Sequence, residues 1–275
     1  FDEGRFALND PITRWAPEFS QMRVLRSSTG TLDQTDPAER PITFEDLLTH
    51  RSGLTYADFH SGPIATAYKD ALGGDIDSEV LPDDWIARLA ALPLIDQPGT
   101  AFHYGHSTDL LGLLIARIED APLADVLKRR IFGPLGMNDT DFTVPWEKRQ
   151  RRAEAYGFDD AGQRCKRSTG PSDSFLPERP EGMAYVSGGQ GLWSTVDDYL
   201  TFARMFLNAG TVNDIRLLQP GTFKRMVTDC LSESQRATAR SMLDAGHGFG
   251  LGVAMVIDPL KAGTQPCGGG MGAVG

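Results

Sequence analysis

Residues 102–112, FHYGHSTDLLG, concentrate side chains that transfer protons. One phenol (Tyr104) and two imidazoles (His103 and His106) precede a Ser-Thr-Asp sequence and an apolar run. A phenol with a reference pKa of about 10 is a poor base at neutral pH, unless a cation such as a lysine favours the phenolate. A catalytic Tyr104 therefore predicts a nearby lysine and a hydroxyl to deprotonate, such as that of a serine. The alternative is a tyrosine that packs before a helix with its hydroxyl satisfied.

Other reaction classes lack their motifs. The sequence contains no G-x-S-x-G, which disfavours an α/β-hydrolase, and neither a P-loop nor an H-E-x-x-H motif. His103 and His106 have the spacing H-x-x-H, but no third ligand is evident nearby, so we predict no metal site. We expect no cofactor.

The elements that must position Tyr104 are helical. Apolar residues at helical spacing follow it (Leu111, Leu114, Ile115 and Ile118), and Ser107 or Thr108 is predicted to cap a largely buried helix. Further helices are predicted over 41–54, with Thr43 and Asp46 as the capping pair and Gly53 at the end, over 82–92, and from Pro122 onwards.

The second half of the chain has a different pattern. Two short strands are predicted around the Asp-Ala-Gly turn at 160–162, then a Pro/Ser/Gly loop over 168–182. Ser194 and Asp197 are predicted to cap a helix within 187–210, with Tyr199, Phe202, Ala203 and Phe206 buried. Residues 249–259 predict a strand that is apolar on both faces. We therefore predict one α/β domain, with a helical lobe over roughly 35–150 and a sheet lobe over roughly 151–275.

Composition excludes some partners. The formal net charge is −10, which argues against nucleic acid and anionic membranes, and the basic cluster 148–152 is interpreted as a solvated face. The three cysteines, Cys165, Cys230 and Cys267, form no C-x-x-C pair and fit a reducing compartment. With no visible signal peptide, we predict a cytoplasmic protein, although the start at Phe1 predicts a piece of a longer chain whose missing N-terminus could carry a signal.

Five strings occur in one order along the chain: LLTHRSGL, YGHSTDLLG, IFGPLGM, SGGQGLWSTVDDYLTFARMFLN and RLLQPGTFKRM. Together they resemble the serine β-lactamase-like superfamily, which includes class C β-lactamases, penicillin-binding D-peptidases and family VIII carboxylesterases. The Y-x-x-S-T-D-L-L-G form is most similar to family VIII esterases, and His106 stands where class C β-lactamases usually carry Asn. The resemblance implies a β-lactamase/transpeptidase-like fold, in which helices flank an antiparallel sheet beside a mainly helical lobe.

The resemblance also implies a mechanism for Tyr104. In the family, the serine of an S-x-x-K motif attacks the acyl carbon, the lysine and the tyrosine relay its proton, and water hydrolyses the acyl-enzyme. No S-x-x-K occurs in residues 1–275, and the family places that motif just before the residues that open this chain. The third family motif would fall at or just after Gly275. Lys261-Ala262-Gly263 mimics its Lys-x-Gly pattern but follows the Asp258-Pro259 turn, so it is interpreted as a hairpin loop. We therefore expect both ends of the domain, including its terminal strands, to be missing.

Candidate site residues follow from this alignment of motifs. Tyr104 is the proton-relay candidate. His106 is expected either to line the substrate pocket or hydrogen-bond the leaving group, or to serve as a structural cap. Gly188 and Gly189 resemble the family's glycine-rich turn, where they either set the shape of the backbone or, for Gly189, bind substrate. Trp193 is either core or pocket wall. Asp109 is expected to favour the helix dipole and anchor a loop. His50 and Arg51 are interpreted as structural.

The implied function is a serine carboxylesterase for small or short-chain esters, with an ester as its partner and β-lactams as possible substrates. One alternative is a β-lactamase, D-peptidase or acyltransferase of the same fold. The other is a non-catalytic homologue that binds a ligand or protein, which holds if S-x-x-K is truly absent. Acyl preference and oligomeric state do not follow from the sequence.

Overall fold

The computed structural model describes residues 1–73, 78–166, 185–239 and 242–263. The loop predicted over 168–182, Cys267 and the glycine-rich C-terminal segment lie outside these residues. The helices of the described chain are α1 Phe44–Leu48, α2 Pro63–Leu72, α3 Pro82–Ala90, α4 Ser107–Glu119, α5 Leu123–Leu127, α6 Gly133–Leu135, α7 Val196–Leu207, α8 Pro220–Met226 and α9 Glu233–Thr238. A short π-helix follows α5 at Lys128–Phe132. Short 3-10 helices lie at Ile12–Arg14, Pro17–Gln21, Ala57–Phe59 and Trp146–Arg151.

The strands pair locally and antiparallel. They are β1 Arg23–Leu25, β2 Thr35–Pro37, β3 Tyr156–Phe158, β4 Arg164–Lys166, β5 Thr211–Val212, β6 Ile215–Arg216, β7 His247–Phe249 and β8 Ala254–Val256. In the described residues they form four two-stranded sheets, each of consecutive strands. The hairpin predicted around residues 160–162 is confirmed, with Gly157 opposite Cys165.

The single strand predicted over 249–259 is wrong. The chain reverses after β7, where the Gly250 N–H donates to the Val253 carbonyl at 2.8 Å, and β8 returns antiparallel to β7. The reversal depends on Gly252, whose φ of 83° lies in the left-handed region that favours glycine. The apolar residues continue on both sides of Gly250 and Gly252, so the sequence pattern does not show the turn.

The largest apolar core lies among α1 to α4 and the N-terminal segment. Leu110 and Leu114 of α4 are fully buried and belong to the same apolar cluster as Trp85 of α3 and Leu47 of α1. The first half of α4 is buried as predicted, whereas its C-terminal half is only half-buried. The beginning of α4, which follows Tyr104, is therefore fixed in a packed core.

Local signals predict the starts of α1 and α3 correctly and the N-cap of α4 incorrectly. Thr43 and Asp46 form the predicted capping box of α1, and α3 begins at Pro82 as expected. The helix α1 ends at Leu48, well before Gly53. The helix α4 has His106 at its N-cap position, so the prediction of Ser107 or Thr108 is wrong.

The helix α7 begins one residue later than predicted and is less buried. Its N-cap is Thr195, whose hydroxyl accepts from the Asp198 N–H at 3.2 Å, because the Ser194 hydroxyl is paired with Thr140 instead. Met205 is its buried residue and Tyr199 is 66% exposed, so the predicted buried face is wrong for the described part of the chain. Among the described residues, no helix is long and apolar enough to cross a membrane.

Candidate active site

Tyr104 lies in the loop immediately before α4, at the boundary between core and solvent. Its side chain is 36% exposed, whereas the neighbouring Phe102 is buried. Three rings surround the phenol: the His50 ring centroid is 4.7 Å away, that of Tyr56 5.8 Å and that of Phe59 6.0 Å. The hydroxyl-bearing ring is thus enclosed on several sides and still reachable by a small molecule.

Gly105 permits this placement. A Cβ on Gly105 would lie 2.3 Å from the carbonyl carbon of Thr55, a distance that real side chains do not reach. The turn after Tyr104 can therefore lie directly on the backbone of residues 55–56 only because residue 105 has no side chain. This contact fixes the loop of Tyr104 against the segment that carries Tyr56.

A fully buried carboxylate lies beneath this loop. Asp109, in the first turn of α4, is 0% exposed. The Tyr56 hydroxyl donates to it at 2.7 Å, the Ser187 hydroxyl also donates to it, and His106 Nδ1 lies 3.3 Å from the same carboxylate. Because a buried charge is stable only when it is paired and hydrogen-bonded, these three groups are what Asp109 requires. Asp109 therefore joins α4 to two other segments of the chain.

The glycine-rich turn at residues 187–189 packs on α4. The Gly189 N–H donates to the Ser187 hydroxyl at 3.0 Å, which extends the Asp109 network into this turn. A Cβ on Gly188 would lie 2.3 Å from the Thr108 carbonyl oxygen, and a Cβ on Gly189 would lie 3.0 Å from the Tyr56 hydroxyl. The absence of both side chains brings the turn into direct contact with the helix and with Tyr56.

The electrostatics keep the phenol of Tyr104 protonated. Burial, and then the negative charge of Asp109, raise the pKa of Tyr104 above its usual value of 10.0. Burial also works to raise the pKa of Asp109, but hydrogen bonds from His106, Ser187 and Tyr56 outweigh it and lower that pKa, so Asp109 is ionised. Tyr104 can donate a proton in this setting, and it can accept one only beside a cation.

The other predicted site residues lie in different surroundings. His106 is 1% exposed and packed by Tyr56, Tyr68 and Trp85, so its imidazole belongs to the interior below the loop. Gly189 lies beside the Tyr56 hydroxyl, and the Tyr56 ring in turn lies next to that of Tyr104. Trp193 has other neighbours: its backbone pairs with Asp141, and the Arg152 guanidinium lies 5.7 Å from its ring. Roles of these residues in binding substrate stay predictions.

The predicted caps and the possible metal ligand also have other partners. The Ser107 hydroxyl pairs with Ser52 at 2.8 Å, and the Thr108 hydroxyl lies 3.3 Å from His50 Nε2. His103 Nε2 lies 2.7 Å from Asp96, whereas His106 Nδ1 lies 3.3 Å from Asp109, so the two histidines pair with different carboxylates. No group of three His, Cys, Asp or Glu side chains in the described ranges is placed to hold a metal ion.

Sequence reasoning missed three contributors to the site. Tyr56 and Ser187 are 53 and 78 residues from Asp109 along the chain, and no local motif marks their hydrogen bonds to it. His50, interpreted as structural, is the ring nearest to Tyr104 among its aromatic neighbours. The available signal was Tyr56 itself, a tyrosine that follows the Gly53 turn of the LLTHRSGL string.

Comparisons with known proteins identify the family of the chain. The family model described as Beta-lactamase matches residues 1–274. Protein Rv1367c of Mycobacterium tuberculosis is 44% identical over 265 residues, which are 95% of this chain and 63% of that protein. Esterase EstB of Burkholderia gladioli is 30% identical over 271 residues, which are 95% of this chain and 63% of the esterase. The chain thus spans under two thirds of the length of these relatives.

Solved structures share the fold. EstCE1, described as a hydrolase with promiscuous acyltransferase activity, has a TM-score of 0.76 and 26% identity, covering 98% of this chain and 67% of EstCE1. Simvastatin synthase (LovD) from Aspergillus terreus has a TM-score of 0.70 and 26% identity, covering 94% of this chain and 64% of LovD. The family match over nearly the whole chain and the shared fold lead to one conclusion: the chain belongs to the beta-lactamase family of serine hydrolases and their esterase and acyltransferase relatives, and has the β-lactamase-like α/β fold.

Proposed function

We propose that the full-length protein containing this chain is a serine carboxylesterase that acts on small esters, with Tyr104 as the proton-relay residue. One observation carries the proposal: Tyr104 occupies the family's Y-x-x-S-T-D position and is held among three rings while 36% exposed. The resemblance to family VIII esterases and the 30% identity to an esterase support the choice of ester over amide substrates. No cofactor is required, because each step moves only a proton or an acyl group.

The proposed reaction has two stages. In the first, a serine hydroxyl attacks the ester carbonyl and its proton passes through the lysine and Tyr104 to the leaving alkoxide, which departs as the alcohol. In the second, water attacks the acyl-enzyme, the same relay takes its proton, and the serine is regenerated as the carboxylic acid leaves. No S-x-x-K occurs in residues 1–275, so the proposal requires the serine and the lysine to come from elsewhere in the full-length protein.

The test compares two matched removals of a phenolic hydroxyl. Tyr104→Phe in the full-length protein should lower kcat for a short p-nitrophenyl ester by about 10²- to 10⁴-fold, the usual contribution of a general acid–base group. Tyr199→Phe makes the same change on the exposed face of α7 and should leave kcat unchanged. Unchanged ester hydrolysis by Tyr104→Phe would remove Tyr104 from the mechanism.

Acyl transfer to an alcohol is a second candidate function. Several relatives are named acyltransferases, among them calJ of Penicillium decumbens at 30% identity over 82% of this chain. Transfer and hydrolysis share the acyl-enzyme and differ only in whether an alcohol or water attacks it. Adding a primary alcohol during turnover of the p-nitrophenyl ester and quantifying the new ester against the acid separates the two.

Two further alternatives have their own measurements. Side-by-side kinetics with a chromogenic cephalosporin would identify a β-lactamase, because its kcat/KM for the cephalosporin would exceed that for the ester. Intact mass after incubation with a fluorophosphonate tests for a reactive serine. A full-length chain that gains no adduct would be a binding protein and would refute the esterase proposal.

A further inference from the structure

His50 is a buried histidine directly behind the Tyr104 loop. It is 4% exposed, and its ring centroid lies 4.7 Å from that of Tyr104 with an angle of 37° between the ring planes. The helix α1 ends two residues earlier, at Leu48, so His50 begins the segment that runs under the loop. The mechanism proposed above assigns it no role.

His50 contacts the turn of residues 103–108 at three points. Its carbonyl oxygen accepts from the His103 N–H at 2.8 Å, before Tyr104. Its ring lies against the phenol itself, and its Nε2 lies 3.3 Å from the hydroxyl of Thr108, after Tyr104. One residue therefore contacts the backbone before Tyr104, the ring of Tyr104 and the helix turn after it.

This placement of a histidine is costly if its role is only to pack. Its φ of 52° lies in the left-handed region, which is uncommon for residues other than glycine, although histidine adopts it more often than most. Its Nδ1 makes no hydrogen bond within the described part of the chain, and a buried polar atom without a partner destabilises the fold. Phe102 and Phe249 border the same ring at 5.7 and 5.6 Å, so an apolar side chain would satisfy the packing.

Its protonation state suits a geometric role. Burial lowers the pKa of His50 to about 4, and the neighbouring Asp109 opposes this shift without reversing it. The imidazole is therefore neutral at neutral pH, and a neutral ring can stack on a phenol without changing the charge around it. His50 can therefore fix the direction of the phenol without adding a charge to a relay that depends on a lysine.

We infer that His50 is a positioning residue for Tyr104: its imidazole, oriented by the Thr108 hydroxyl, fixes the direction of the phenol ring in the proton relay. The inference rests on the proposed function, because a phenol direction matters only if Tyr104 transfers a proton. Catalysis by a positioned group is sensitive to small displacements, and about 1 Å can cost about 10²-fold in rate. The effect is expected in kcat, because His50 is 4% exposed and substrate does not reach it.

The experiment measures kcat and KM of the full-length protein on a short p-nitrophenyl ester. His50→Phe keeps a ring and removes Nε2, and should lower kcat about 10- to 100-fold with KM unchanged. Thr108→Val keeps the imidazole and removes its anchor, and should lower kcat about 10-fold. Ser107→Ala removes the adjacent buried hydroxyl, which pairs with Ser52, and should leave kcat unchanged.

The same variants in the Tyr104→Phe background separate positioning from general damage. If His50 acts through the phenol, His50→Phe and Thr108→Val cause no further loss once the hydroxyl is gone. Equal losses in both backgrounds, or an unchanged kcat in Thr108→Val, would overturn the inference and leave the proposed function standing. If His50→Phe does not fold, Thr108→Val decides alone. Unchanged activity in Tyr104→Phe itself would overturn the proposed function and this inference with it.

Discussion

Replacing Asp109 with Asn tests the buried network beneath the site. The substitution preserves the shape of the side chain and removes its charge. Three groups contact the carboxylate: the Tyr56 hydroxyl at 2.7 Å, the Ser187 hydroxyl and His106 Nδ1 at 3.3 Å. An amide offers one accepting oxygen and one donating nitrogen, so at least one of these groups must rotate or lose its acceptor.

The magnitude follows from burial and from the number of bonds. A hydrogen bond to a charged group contributes about 1.5–3 kcal/mol, and removing one partner of a buried charged cluster costs about 3–5 kcal/mol. Asp109 is 0% exposed, so water cannot replace the lost interactions. Because an amide retains some of the bonding, we expect Asp109→Asn to lower the free energy of unfolding by about 3 kcal/mol.

Urea unfolding of the full-length protein at neutral pH measures this change, with an unchanged m-value as evidence that both proteins unfold alike. Tyr56→Phe should cost about 1.5–3 kcal/mol alone and less in the Asp109→Asn background, because the two side chains share one bond. Asp125→Asn, an exposed residue of α5, is the matched control and should change stability by less than about 0.5 kcal/mol. A loss below about 1 kcal/mol for Asp109→Asn, or full additivity with Tyr56→Phe, would refute the reasoning.

Two further outcomes are expected from the same region. The pKa of His50 falls from 6.5 to about 4 on folding, so between these values the unfolded chain binds one more proton than the folded chain. The contribution of His50 to the free energy of unfolding is therefore fully present above about pH 6.5 and falls by about 3 kcal/mol down to pH 4. Urea unfolding across that range should show this decline, His50→Phe should flatten it, and an equal slope in both proteins would contradict the assignment. Gly188→Ala should cost about 3 kcal/mol, because its Cβ would meet the Thr108 carbonyl oxygen at 2.3 Å. Gly221→Ala in α8, with open space around it, is the control and should be neutral or slightly stabilising, and an equal effect of the two would contradict the steric argument.

Features that depend on residues close together in the sequence were predictable. The capping box of Thr43 and Asp46 needs only residues three apart, and the structure contains it. The hairpin around residues 160–162 depends on a local turn and two short flanking strands, and it also forms. Motif order along the chain identified the family because it uses relative positions and not contacts.

The caps of α4 and α7 failed for a different reason. Ser107 and Ser194 have the right chemistry for a cap, but each hydroxyl is taken by a residue more than fifty positions away, Ser52 in one case and Thr140 in the other. A local cap and a tertiary partner compete for the same hydroxyl, and the propensity of a residue cannot say which is stronger. The environment of Tyr104 was hidden likewise, since residues 50, 56 and 187 reach the site only through folding.

The described residues orient Tyr104 but do not activate it, and this separates two requirements of the proposed relay. Burial and the charge of Asp109 raise the pKa of the phenol, which is the wrong direction for a base. Removing Asp109 would lessen one of these effects, yet Asp109 is needed to hold Tyr56 and the turn at residues 187–189. The positive charge that lets the phenol accept a proton must therefore come from a separate residue. Under the proposed function this is the lysine of S-x-x-K, so a Lys→Met change there should abolish activity without altering the Tyr104 loop.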